Sequence, residues 1–125
     1  MAGRWALVVA WMAAVFGVSS ISNLGPAARA PDWISHPVEY GVGTVLLCRA
    51  LEGVRRRPLT LSTALTATLL ATTYGVTDEY HQSFVPGRTA DPMDVVKDLA
   101  GAAAACVLYR WRTSHDAAGA SEPVR

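Results

Sequence analysis

Uncharged runs nearly as long as a bilayer is thick recur along this chain, and they constrain its fold more than any other feature. Residues 5–21 (WALVVAWMAAVFGVSSI) and 59–76 (LTLSTALTATLLATTYGV) contain no Asp, Glu, Lys or Arg. At a helical rise of 1.5 Å per residue the first spans roughly 26 Å, close to a hydrocarbon core. Two further apolar runs, 36–51 (HPVEYGVGTVLLCRAL) and 94–111 (DVVKDLAGAAAACVLYRW), carry a few charged residues, most of them near their ends. Pro37 suits the first turn of a helix beginning at His36, which places Glu39 one turn inside. Gly101 and Ala105 form a small-xxx-small pair that lets another helix approach closely. The expectation is an all-α fold: an integral membrane bundle of four transmembrane helices.

The charged residues between the runs set an orientation. With alternating helices and a cytoplasmic N-terminus, eight basic and three acidic residues fall inside, against three basic and seven acidic outside. That is the sense of the positive-inside rule, so both termini are expected to be cytoplasmic. Arg4, the first apolar run and Ala28-Arg29-Ala30 also imitate a secretory signal peptide. The distance to that cleavage-like site is long and three more apolar runs follow, so the segment reads as a first span. Residues 1–112 then form the membrane domain and 113–125 a disordered cytoplasmic tail. A net charge of only +1 leaves no basic footprint for nucleic acid. Cys48 and Cys106 lie inside apolar runs without metal-type spacing and read as free buried thiols.

Polar chemistry gathers at the outer end. The stretch 77–94 (TDEYHQSFVPGRTADPMD) holds Asp78, Glu79, His81, Asp91 and Asp94 with a Pro-Gly-Arg turn, and apolar runs flank it on both sides. The expected topology brings it level with His36, Glu39 and Asp98. Asp94 and Asp98, four residues apart, share a helix face. Charges at membrane depth are costly, so Glu39 and Asp98 are expected to face the bundle. Arg88 is the only cation in the loop core, and its guanidinium is expected to bridge two of the carboxylates. Lys97 is expected to reach the headgroups, and His81 to make a hydrogen bond in the loop. Three readings stay open: a structural network locking the loop to the helix ends, a site for an envelope or lipid-headgroup ligand, and a catalytic site whose base is a carboxylate, His36 or His81. His36, Glu39, Asp78, Glu79 and His81 could supply metal ligands, but no HExxH or paired-Cys pattern accompanies them. No metal and no cofactor is expected.

The string Asp78-Glu79-x-x-Gln82-x-Phe84-x-Pro86-Gly87-Arg88, followed by Asp91-x-x-Asp94 and a helix with Gly101, resembles the signature of the VanZ-like family. His36-x-x-Glu39-Tyr40 resembles that family's second motif and Ser19-Ser20 its first. The resemblance covers residues 5–111, and the DExxQxFxPGR string is its specific part. Two positions depart from the pattern: Asp98 stands where the family usually has Asn, and Trp33 where a basic residue is often met. The resemblance implies a small four-helix membrane protein of bacteria. The name-giving member is associated with resistance to the glycopeptide teicoplanin, a role that membership alone does not confer. The expectation is a multi-pass protein of the bacterial plasma membrane whose outer polar pocket engages a lipid headgroup, cell-wall precursor or glycopeptide and so modulates glycopeptide susceptibility. His36, Glu39, Tyr40, Asp78 and Glu79 would form that pocket with Gln82, Arg88, Asp91, Asp94 and Asp98. The alternative is a membrane enzyme acting on a lipid-linked envelope substrate by carboxylate and His acid–base chemistry. Oligomeric state stays open.

Overall fold

The computed structural model describes residues 2–22, 25, 30–55 and 59–119. Four α-helices make up the architecture: α1 (Ala2–Ser19), α2 (Asp32–Arg55), α3 (Leu61–Gln82) and α4 (Pro92–Gly119). No strand occurs among the described residues. The all-α, four-helix expectation is met.

Local chemistry accounts for the helix starts. The Pro31 carbonyl accepts from the N–H groups of Ile34 and Ser35 at 2.8 and 3.0 Å, with Asp32 in the first turn favouring the positive end of the helix dipole. α2 therefore begins four residues before the expected His36. Pro37 falls inside the helix, and Glu39 lies two turns from its start rather than one. The lost N–H of Pro37 leaves the Trp33 carbonyl without its intrahelical donor. α3 is capped by Thr60, whose extended backbone lets its side chain accept from the Thr63 N–H at 3.2 Å. α4 starts at Pro92, where the missing N–H costs nothing, and the preceding Asp91 Oδ1 accepts from the Met93 N–H at 2.9 Å. The helix then runs through Gly119, past the end of the apolar run and into the stretch expected to be a disordered tail.

α2 packs most extensively against α4, while α1 leans on α2 and α3 and makes no contact with α4. At the α2–α4 contact, a Cβ on Gly101 would collide with the backbone of Pro37, so a bare glycine permits this approach. Small residues fill much of the interior: Ala50, Ala64, Ala67, Ala71 and Ala102 are buried, with Trp11, Tyr40 and Leu47 as the larger members. Cys48 and Cys106 are free and buried, their Sγ atoms 3.9 Å apart. Large apolar side chains point outward instead. Leu61, Leu65 and Leu69, one turn apart on α3, are 61–67% exposed.

Among the described residues, α1 is the one helix long and apolar enough to cross a membrane by length and composition. Polar residues hold the others below that mark. α2 and α4 carry charged side chains, and α3 contains six threonines.

Candidate functional site

The C-terminal ends of α1 and α3 meet the N-terminal ends of α2 and α4, and this is where the polar residues collect. Three groupings form there. In the first, Asp78 on α3 accepts from Ser19 Oγ at 2.6 Å through Oδ1 and from Gln82 Nε2 at 2.9 Å through Oδ2. All three residues are buried. Because α3 continues through Gln82, positions 78, 79 and 82 share one helix face, and Gln82 Nε2 also reaches Glu79 Oε1 at 3.4 Å. The other Glu79 oxygen accepts from the Asp91 N–H at 2.9 Å, tying the start of α4 to the end of α3. Glu79 lies beyond the uncharged run of α3. Burial chiefly pushes its carboxyl above the ordinary value, with Asp94 and Asp98 adding to that, while the Asp91 N–H and His36 pull it down.

His36 is the centre of the second grouping. Its Nδ1 sits 2.8 Å from Asp98 Oδ1 and its Nε2 3.5 Å from Asp94 Oδ2. The four-residue spacing on α4 puts both carboxylates in line with this ring. Asp98 is 1% exposed, and its Oδ2 has no hydrogen-bond partner among the described residues. It lies against Gly75, where a Cβ would come within 2.5 Å of Oδ2 and 3.2 Å of the Tyr40 ring. Tyr40 is buried beside His36, with near-parallel rings 6.5 Å apart, and its hydroxyl also lacks a partner. Lys97, expected to reach outward, pairs with Asp94 Oδ1 one turn away.

Arg88 belongs to the third grouping and overturns an expectation. Among the described residues it bridges no carboxylates. Its Nη2 donates to the Val18 carbonyl at 2.7 Å and its Nε to the Ile21 carbonyl at 3.1 Å. Val18 lies in the last turn of α1 and Ile21 two residues past its end; the Val18 carbonyl also accepts from the Ile21 N–H at 3.2 Å, and the guanidinium adds a charged donor where the helix end carries partial negative charge. Gly87, with φ of 80°, makes the turn that delivers Arg88 to this position. Nearby, His81 on the last turn of α3 meets Ser20 Oγ at 3.0 Å and stacks on Phe16.

Between these groupings lies a cavity of about 230 Å³ whose lining includes Ser19, His36, Glu39, Asp78, Gln82 and Arg88. The Glu39 carboxyl borders it and forms no hydrogen bond with the described residues, although the Glu39 backbone carbonyl accepts from Trp11 Nε1 at 3.1 Å. Of the ten candidate residues, five line this cavity: His36, Glu39, Asp78, Gln82 and Arg88. Glu79, Asp91, Asp94, Asp98 and Tyr40 are not part of its lining; Asp94 and Asp98 meet His36, and Glu79 and Asp91 border a separate pocket between α3 and α4. Sequence reasoning left Ser19 out of the site, although the Ser19-Ser20 pair closing an uncharged run was a visible signal. Of the residues named as able to supply metal ligands, His36 and Glu79 come together, joined not by Glu39, Asp78 or His81 but by Asp94: each of the three offers one ligand atom, all within 4.8 Å of one another. Their spacing along the chain resembles no metal motif.

Comparison with known proteins gives a family match over residues 31–113, more than half of the chain, to a family described as VanZ/LLP1. No match is found among curated proteins or among solved structures.

Proposed function

The chain belongs to the VanZ-like family, and from that premise we propose that it is a multi-pass protein of the bacterial plasma membrane whose polar cavity engages the headgroup of a lipid or a cell-wall precursor. The observation that carries this reading is the cavity itself, bordered by the unpaired Glu39 carboxyl on one side and by Arg88 on the other. Two of the five guanidinium N–H groups serve α1, leaving donors for an anionic ligand group, while Glu39 and Asp78 suit amines and hydroxyls. Placement in a membrane is supported by the outward Leu61, Leu65 and Leu69 around a core of alanines, an arrangement that favours helix packing within lipid. The excess of basic residues on the side away from the cavity supports an outward-facing site. Engagement of a wall precursor or headgroup there would alter susceptibility to glycopeptides.

The test compares cells expressing wild type and Glu39→Gln, with membrane abundance measured beside teicoplanin susceptibility. Wild type is expected to shift susceptibility, and the variant to lose the shift while accumulating normally. A variant as effective as wild type would remove the cavity from the function. No shift with wild type itself would sever the glycopeptide link.

A further inference from the structure

We propose that His36, Glu79 and Asp94 hold a divalent cation of the Zn²⁺ or Mn²⁺ kind. Each comes from a different helix, and their ligand atoms lie within 4.8 Å of one another. The gap between His36 Nε2 and Asp94 Oδ2 is 3.5 Å. A tetrahedral ion with ligands at about 2.1 Å sets neighbouring ligand atoms roughly 3.4 Å apart, so this pair already has the required edge.

Each of the three is also tied from outside by one atom, leaving the other available. His36 is held through Nδ1 by Asp98 at 2.8 Å, Glu79 through Oε2 by the Asp91 N–H at 2.9 Å, and Asp94 through Oδ1 by Lys97. Outer partners of this type, above all a carboxylate behind an imidazole, orient metal ligands. Nε2 of His36, Oδ2 of Asp94 and Oε1 of Glu79 remain, the last with only a long 3.4 Å bond from Gln82.

An independent observation comes from Asp98. It is 1% exposed, one of its oxygens is bare, and the other is hydrogen-bonded only to His36. A carboxylate buried at that cost must be matched by something it orients or neutralises. Beyond that contact, Nε2 of His36 faces Oδ2 of Asp94 across 3.5 Å, an edge that one ion bound to both would span. Glu79, Asp94 and Asp98 are all buried residues gathered around His36. His36 borders the cavity, which gives an ion a way in.

The alternative occupant of the gap is a proton on Nε2, and experiment separates the two. Purified protein is stripped with chelator and titrated with Zn²⁺ or Mn²⁺ alone, with Mg²⁺ as the control. Bound metal and thermal unfolding are both measured. One ion per chain and a raised Tm reversed by chelator are expected, with affinity falling at least tenfold in Asp94→Asn and in Glu79→Gln. If either variant fails to accumulate, pulsed EPR of Mn²⁺-loaded wild type decides, because a directly bound imidazole nitrogen must appear. Wild type that takes up no more Zn²⁺ or Mn²⁺ than Mg²⁺, variants that bind as wild type does, or Mn²⁺ without a nitrogen ligand would each overturn the assignment.

Discussion

Arg88 Nη2 donates to the carbonyl of Val18, 70 residues earlier in the chain, at 2.7 Å. The only cation of the signature turn thus caps the end of α1 rather than neutralising the acidic residues around it. Removing it should weaken the attachment of α1. Arg88→Ala is expected to cost about 1.5–3 kcal/mol, the range for hydrogen bonds that involve a charged group, and to lower the abundance of folded protein. Arg88→Lys should recover only part of this, because one ammonium cannot reproduce the guanidinium fork that reaches both Val18 and Ile21. Thermal unfolding of the purified variants checks the order wild type, Lys, Ala.

Ser19→Ala strips Asp78 Oδ1 of its 2.6 Å donor while Gln82 still serves Oδ2. A buried carboxylate oxygen left bare costs about 1–3 kcal/mol. The variant should unfold at lower temperature, and Ser19→Thr, which keeps the hydroxyl, should lose less. Equal stability of Ala and wild type would mean that cavity water replaces Ser19.

Gly101→Ala drives a methyl into the Pro37 backbone, which can yield only if α2 and α4 part. Overpacking of this kind costs about 1–3 kcal/mol. Gly17 is the internal control. An added Cβ meets nothing within 4 Å there, so Gly17→Ala should be neutral or stabilise α1 by about 0.5–1 kcal/mol through helix propensity. The pair is read by melting both variants under one condition.

Cys48 and Cys106 are 0% and 5% exposed. Folded protein should resist a polar maleimide and become labelled at both thiols on unfolding. Rapid labelling of the native protein would contradict the packing of α2 against α4.

The number and order of the helices were legible because each apolar run, charged at its ends or not, has a length that few other structures accommodate. The pairing of His36 with Asp94 and Asp98 was legible in part, since a four-residue spacing on α4 announces a shared face. Helix α2 misled because Pro37 fits a first turn so well; the Pro31 carbonyl, which accepts the first N–H groups, leaves no mark in composition. Arg88 misled for a related reason. Side-chain carboxylates can be counted in a sequence, whereas the carbonyls that Arg88 meets at and just past the end of α1 appear only once the helix has an end. Lys97 was assigned outward on helix position alone, and its neighbour Asp94 three residues earlier was the nearer partner.

The bonds that hold the C-terminal end of α1 have a consequence in time. Ser19 is fastened by Asp78, Ser20 by His81, and Val18 and Ile21 by Arg88, each partner lying 59 to 70 residues downstream. During synthesis α1 emerges first, yet these partners of its C-terminal end come only with the end of α3 and the turn that follows it. The first helix made therefore waits for more than half of the chain before that end is fastened, and the cavity, which Arg88 borders, is complete only then.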